Sequence, residues 1–117
     1  AGTVDEGGVI GDTRSVAILN LNDIIEEEFP EQIIHFIKID AEGKDLDIVE
    51  SLTEHTLQRV KFISMECING EPRYPGERNK VECIEYMKSI KFDVCHAYDT
   101  DNGSHISDIV FMNREEL

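Results

Sequence analysis

Apolar residues in this chain fall into short runs of two kinds. Ile33-Ile34-His35-Phe36-Ile37-Lys38-Ile39 is apolar at five of seven positions and rich in β-branched side chains. Such a near-continuous run predicts a strand buried on both faces, as in a parallel sheet. Val60-Lys61-Phe62-Ile63-Ser64-Met65 reads as a second strand. Between them, from Lys44 to Leu52, the apolar residues Leu46, Val49 and Leu52 recur at helical spacing. Strand, helical crossover and strand make a βαβ unit, which sets the two strands parallel.

The flanks are read from turn and cap chemistry. Ser15 to Leu19 suits a short strand. Asn20-Leu21-Asn22-Asp23 resembles a capping box with Asn20 as N-cap, and the helix it opens runs through Glu28 and must end before Pro30. Asn69 to Glu77 carries two prolines and two glycines and predicts an irregular loop. Asn79 to Ile90 returns to helical spacing through Val81, Ile84, Met87 and Ile90. Phe92 to Asn113 reads as a β-hairpin around Asn102-Gly103, a pair favoured in type I′ turns. Residues 1–14 hold four glycines without periodicity, so the expected organisation is an arm over 1–14 followed by one domain over 15–117. The expected fold class is α/β, a mixed sheet with a parallel βαβ unit and a C-terminal antiparallel hairpin.

Composition narrows the partners. A length of 117 residues allows one core. Eleven basic residues against 25 acidic ones give a formal charge of −14. That field repels nucleic acid and anionic membrane surfaces, both of which are bound through Lys and Arg. No apolar run approaches the ~20 residues needed to span a bilayer, and the polar, glycine-rich beginning lacks a signal-peptide pattern. A cytoplasmic setting is therefore expected. Cys67, Cys83 and Cys95 form no C-x-x-C pair, which argues against zinc and for buried, reduced core thiols.

Chemistry is expected where strands end in acid. In open α/β sheets ligands bind beyond the carboxyl ends of the strands. One strand here ends Ile39-Asp40-Ala41-Glu42-Gly43 and the other Met65-Glu66-Cys67. Asp40, Glu42 and Glu66 delivered to one crevice can orient an acceptor hydroxyl, take its proton, or hold a hard cation such as Mg²⁺. Other candidates are weaker. Asp99-Thr100-Asp101-Asn102-Gly103 has its glycine one place early for a calcium loop and reads better as a hairpin turn. His35 lies inside a strand, His96 and His105 sit on opposite arms of the hairpin, and Arg73 and Tyr74 occupy the proline-bearing loop.

The segment Phe36-Ile37-Lys38-Ile39-Asp40-Ala41-Glu42-Gly43-Lys44-Asp45-Leu46 is similar to the "LKIDVEGAEL" signature of FkbM-type S-adenosylmethionine-dependent methyltransferases. Leu21-Asn22-Asp23-Ile24-Ile25 resembles that family's upstream "LDDLI" segment. Val60 to Glu66 resembles its next strand with a terminal Glu, and Asp108-Ile109-Val110-Phe111-Met112-Asn113 its closing "D-I-x-F-x-N" strand. Ala41, Asp45 and Ser51 depart mildly from the usual Val, Glu and Gly.

The resemblance implies a partial Rossmann-like class I methyltransferase sheet. It also implies methyl transfer from S-adenosylmethionine to a hydroxyl of a small molecule or sugar. Asp40 and Glu42 would face the methyl donor or the acceptor, with Glu66 lining the neighbouring wall. Which of the three is the base stays open. No strand with a glycine-rich turn and ribose-binding acid precedes residue 16, because Gly7-Gly8-Val9-Ile10-Gly11 follows no strand. The chain is thus expected to form the C-terminal portion of such an enzyme and to hold the cofactor poorly alone. The competing expectations are a non-catalytic α/β interaction module and a divalent-metal carboxylate site. The edge of the Ile33–Ile39 strand is expected to be covered, either by Ser15 to Leu19 folding back over it or, as favoured, by the same strand of a second copy in a homodimer.

Overall fold

The computed structural model describes residues 20–41, 44–99 and 105–115. Helix α1 (Leu21–Glu28) begins where expected: the Asn20 side chain accepts the Asp23 N–H at 3.1 Å. It stops at Phe29, ahead of Pro30, whose ring disfavours a helical residue before it. Three glutamates at its C-terminal end, Glu26 to Glu28, oppose the helix dipole. Glu26 is compensated from the next helices, as shown below.

Strand β1 (Ile34–Lys38) leads through α2 (Asp45–Glu50) and a four-residue helix α3 (Glu54–Leu57) into β2 (Val60–Ile68). β1 and β2 are parallel, with Ile34 opposite Val60 and Lys38 opposite Ser64. The helix α3 has no apolar period to announce it. It forms because the Thr53 side chain caps the Thr56 N–H and Asn22 of α1 accepts the Thr53 N–H at 3.0 Å.

Helix α4 (Lys80–Ser89) opens with a complete capping box. The Asn79 side chain accepts the Glu82 N–H at 3.1 Å, and Glu82 accepts the Asn79 N–H at 3.0 Å. The hairpin follows as β3 (Phe92–Asp99) and β4 (Ile106–Asn113), antiparallel to each other, while its turn at residues 100–104 lies outside the described residues. It is the second arm, β4, that pairs with β2, so the sheet order is β1-β2-β4-β3. This mixed α/β architecture agrees with the class expected from the sequence. Residues 1–19, which include the predicted arm and the Ser15–Leu19 strand, also lie outside the described residues.

One face of the sheet carries the core. Ile63, Met65 and Cys67 of β2, with Ile109 and Phe111 of β4, are buried against Leu46 and Val49 of α2 and Cys83 and Met87 of α4. The opposite face is uncovered among the described residues. Phe36 is 52% exposed and Met112 41%, and the Phe36 ring lies 6.4 Å from that of Phe62. The expectation that β1 is buried on both faces is therefore corrected. Among the described residues β1 pairs only with β2, and no described element packs over Phe36.

Two further differences have local causes. Glu66 does not end β2, because the ladder with β4 continues to the Ile68–Ile106 pair. Cys95 is exposed rather than a core thiol. It falls at a register shift between Val94 and His96 on the edge strand, where a bulge turns it away from the core.

Candidate active site

Because β1 and β2 are parallel, their carboxyl ends share one edge of the sheet. The pairing runs on past β1, with the Ile39 N–H donating to the Ser64 carbonyl at 2.9 Å. Two residues beyond the Lys38–Ser64 pair, the same alternation brings Asp40 alongside Glu66. On the other side of β2, Glu66 stands directly opposite Asp108 of β4. Like charges facing across a ladder are unfavourable, so this is not a placement that stability alone selects.

The electrostatics follow from the geometry. Partial burial, then the negative charges of Asp40, Asp45 and Asp108, push the Glu66 carboxyl above its ordinary range, and Lys38 offsets this only in part. A carboxyl raised in this way is a better proton acceptor at neutral pH than an ordinary glutamate. Asp40 is exposed at the mouth of the edge.

Asp45 holds this edge together. It is 2% exposed, and its carboxylate accepts the Ala41 N–H at 2.8 Å and the Glu66 N–H at 2.9 Å. It therefore clamps the chain leaving β1 to the strand carrying Glu66, and so sets the spacing of the flanking acids. Burial raises the Asp45 carboxyl despite those two bonds, and the charge of Asp40 adds to the rise.

Of the three acids expected at the site, the structure brings Asp40 and Glu66 together, and Glu42 lies outside the described residues. Sequence reasoning quoted Asp45 and Asp108 within larger motifs but gave neither a role. The signal available for Asp108 was register, since an acid at the start of the closing strand falls opposite Glu66 once β4 is placed beside β2. For Asp45 it was an acid in the first turn after a strand–glycine turn, where two backbone N–H groups converge.

A small cavity opens at this edge, bordered by Asp45, Glu66, Ile68, Gly76, Arg78 and Cys83. Gly76, with φ +90°, turns the loop so that Glu77 can bury its carboxylate against Arg73, at 2.6 Å. That pairing occupies Arg73, and Tyr74 stands half exposed beside it. The larger cavity, about 590 Å³, lies at the opposite end of the sheet between α3 and the end of α4, bordered by Glu54, Leu57, Lys91 and Asn113. Volume favours that end and chemistry the other. We place the candidate site at the acids, because among the described residues it is there that several carboxylates shift one another.

Over residues 2–96 the chain matches the family described as the methyltransferase FkbM domain. The chain belongs to the FkbM methyltransferase family. Searches of curated proteins and of solved structures return no match. Within this FkbM domain the motif residues Lys38, Asp40 and Asp45 and the strand residue Glu66 are the ones that build the acidic edge. Among the described residues no group of three His, Cys, Asp or Glu side chains is placed to hold a metal ion, and none of the helices is long and apolar enough to cross a membrane.

Proposed function

We propose that this chain supplies the acceptor-side wall of an S-adenosylmethionine-dependent methyltransferase site, acting on a hydroxyl of a small molecule or sugar. The observation that carries the reading is the raised carboxyl of Glu66 among Asp40, Asp45 and Asp108. The donor chemistry suits the cofactor in part. Asp40 is an anionic group fit to stand near one of its cationic centres. Among the described residues no glycine-rich turn is present to take its nucleoside.

When bound, the cofactor supplies an electrophilic methyl group on a cationic sulfur. The chain's own groups do the rest. Glu66 takes the acceptor's hydroxyl proton onto a carboxylate oxygen as the new bond forms, Asp40 orients the acceptor, and Asp45 fixes the strand ends so that both stay in place. Removing such a base costs roughly 10²–10⁴-fold in rate.

The test is transfer of a labelled methyl group from S-adenosylmethionine to pooled hydroxyl acceptors by the natural protein that contains this chain. Glu66→Gln is expected to lower turnover by about 10²–10⁴-fold with cofactor affinity little changed. Unchanged turnover in that variant would remove Glu66 from the chemistry.

A further inference from the structure

Two of the three cysteines meet in the core. Cys67 follows Glu66 on β2, and Cys83 lies in the first turn of α4; both are buried, at 1% and 3% exposure. Both belong to the one buried core cluster where α4 packs on β2, and each thiol perturbs the other. The backbone around them is held firmly. Asn79 bridges to Ile68 at the end of β2, and its side-chain amide donates to the Gly70 carbonyl at 2.8 Å.

The two thiols are not equivalent. Cys83 borders the small cavity at the acidic edge, together with Arg78 and Gly76, whereas Cys67 does not. The neighbouring Cys67 thiol lowers the Cys83 thiol, and the Arg78 guanidinium lowers it further, against opposition from burial and from Asp45 and Glu82. Cys67 is raised by the neighbouring Cys83 and by burial. A helix N-terminus and a nearby guanidinium are the surroundings that favour a thiolate. The access route is the cavity beside Gly76, in a loop exposed from Gly70 to Gly76.

We propose that Cys83 and Cys67 form a peroxide-sensitive dithiol, with Cys83 the attacking sulfur and Cys67 the resolving one. The Cys83 thiolate attacks one oxygen of a hydroperoxide. The O–O bond breaks, the departing oxygen leaves as an alcohol or water after taking a proton, and Cys83 becomes a sulfenic acid. The Cys67 sulfur gives up its proton and attacks the Cys83 sulfur. The S–S bond forms, the S–O bond breaks, and hydroxide leaves with that proton as water. Two thiols and one hydroperoxide thus yield a disulfide, an alcohol or water, and one water; the sulfurs lose two electrons and the peroxide oxygens gain them. The disulfide ties α4 to the strand residue next to Glu66, so oxidation stiffens the wall of the candidate site. The proposal does not depend on methyl transfer.

The test treats the reduced 117-residue chain with equimolar hydrogen peroxide, blocks remaining thiols, and maps tryptic peptides without reductant. The expected product is a monomer lighter by two hydrogens, with peptide 62–73 cross-linked to peptide 81–88 and Cys95 in peptide 92–114 still a free thiol. Cys95→Ser should leave the cross-link intact, and Cys67→Ser should leave a sulfenic acid at Cys83 that dimedone traps. Oxidation confined to Cys95 would overturn the proposal. So would a 62–73 to 81–88 link no more abundant in the folded chain than in urea, where Cys95 competes on equal terms. The wild-type map decides the matter even if a serine variant fails to fold.

Discussion

The two ends of the sheet are built on opposite electrostatic rules. At the end where β2 begins, charges are matched. Arg59, 8% exposed, donates to the Phe29 carbonyl at 2.5 Å and the Gln32 carbonyl at 3.0 Å, and lies 3.5 Å from Glu26. Glu26 also meets His55 and the Thr56 hydroxyl, each at 2.9 Å. Asn113 donates to the Leu57 and Val60 carbonyls, and Arg114 grips Asp93 through two bonds. At the end where β1 and β2 finish, Glu66 faces Asp108 directly and feels Asp40 and Asp45 as well. One end spends its charges on holding α1, α3 and the strands together. The other tolerates repulsion, which is why the candidate site is placed there.

The largest stability effect should separate the two ends by sign. Arg59→Ala leaves two part-buried carbonyls without their donor, takes one cation from Glu26 and truncates a buried side chain, and is expected to cost about 2–3 kcal/mol. Glu66→Gln relieves like-charge crowding, and is expected to stabilise the fold by up to about 1 kcal/mol while abolishing most turnover. Urea titrations of both variants measure the pair. Destabilisation by Glu66→Gln comparable to that of Arg59→Ala would dissolve the contrast.

The pH dependence should split the same way. The folded-state pKa of Glu66 is raised from an ordinary value of 4.5. Its contribution to stability is therefore full below that value and is lost as pH rises through the raised one. The buried Asp45, raised from 3.8, acts in the same direction. Glu26 is lowered from 4.5 by its hydrogen bonds to His55 and Thr56. Its contribution is present above the ordinary value and is lost as pH falls through the lowered one. Stability followed by denaturant midpoint should then decline less above about pH 4.5 in Glu66→Gln, Asp45 supplying what decline remains. Glu26→Gln should instead reduce the loss on the acid side. Parallel curves in the two variants would mean that neither end behaves as its charges require.

Local chemistry made much of the fold legible in the sequence. Asn20 caps the helix expected of it, the helical spacing after Asn79 became α4, and the β-branched runs at Ile33 and Val60 became parallel strands. Legibility failed where non-local pairing decides. Nothing in Phe92 to Asn113 says which hairpin arm joins β2, yet that choice puts Asp108 opposite Glu66. The helix α3 is too short to show a period and depends on Asn22, thirty-one residues earlier in the chain, to fix Thr53. Asp45 was visible as an acid within the motif. Its role as a clamp depends on two N–H groups, one on the chain leaving β1 and one on β2, which only the closed βαβ unit brings together.

The smallest effect tests whether the matched end is as settled as its ion pairs suggest. Lys91, just after α4, adopts φ 76°, the left-handed conformation usually given to glycine at a helix end. Its N–H donates to the Lys88 carbonyl at 3.0 Å, and its carbonyl accepts the Arg114 N–H at 2.7 Å. The backbone is thus held in place from both sides, while a side chain makes that conformation costly by roughly 1–2 kcal/mol. The Lys91 ammonium stands 3.6 Å from Glu115 with both side chains more than half exposed, and such a surface pair returns little. Lys91→Gly removes the strain, loses the weak pair and gives the unfolded chain more freedom, so a net gain of about 0.5–1 kcal/mol is expected. Thermal unfolding should show a midpoint higher by roughly 2–6 °C. A drop instead would mean that the Lys91 side chain is a working part of the matched end, and that its packing outweighs the backbone strain.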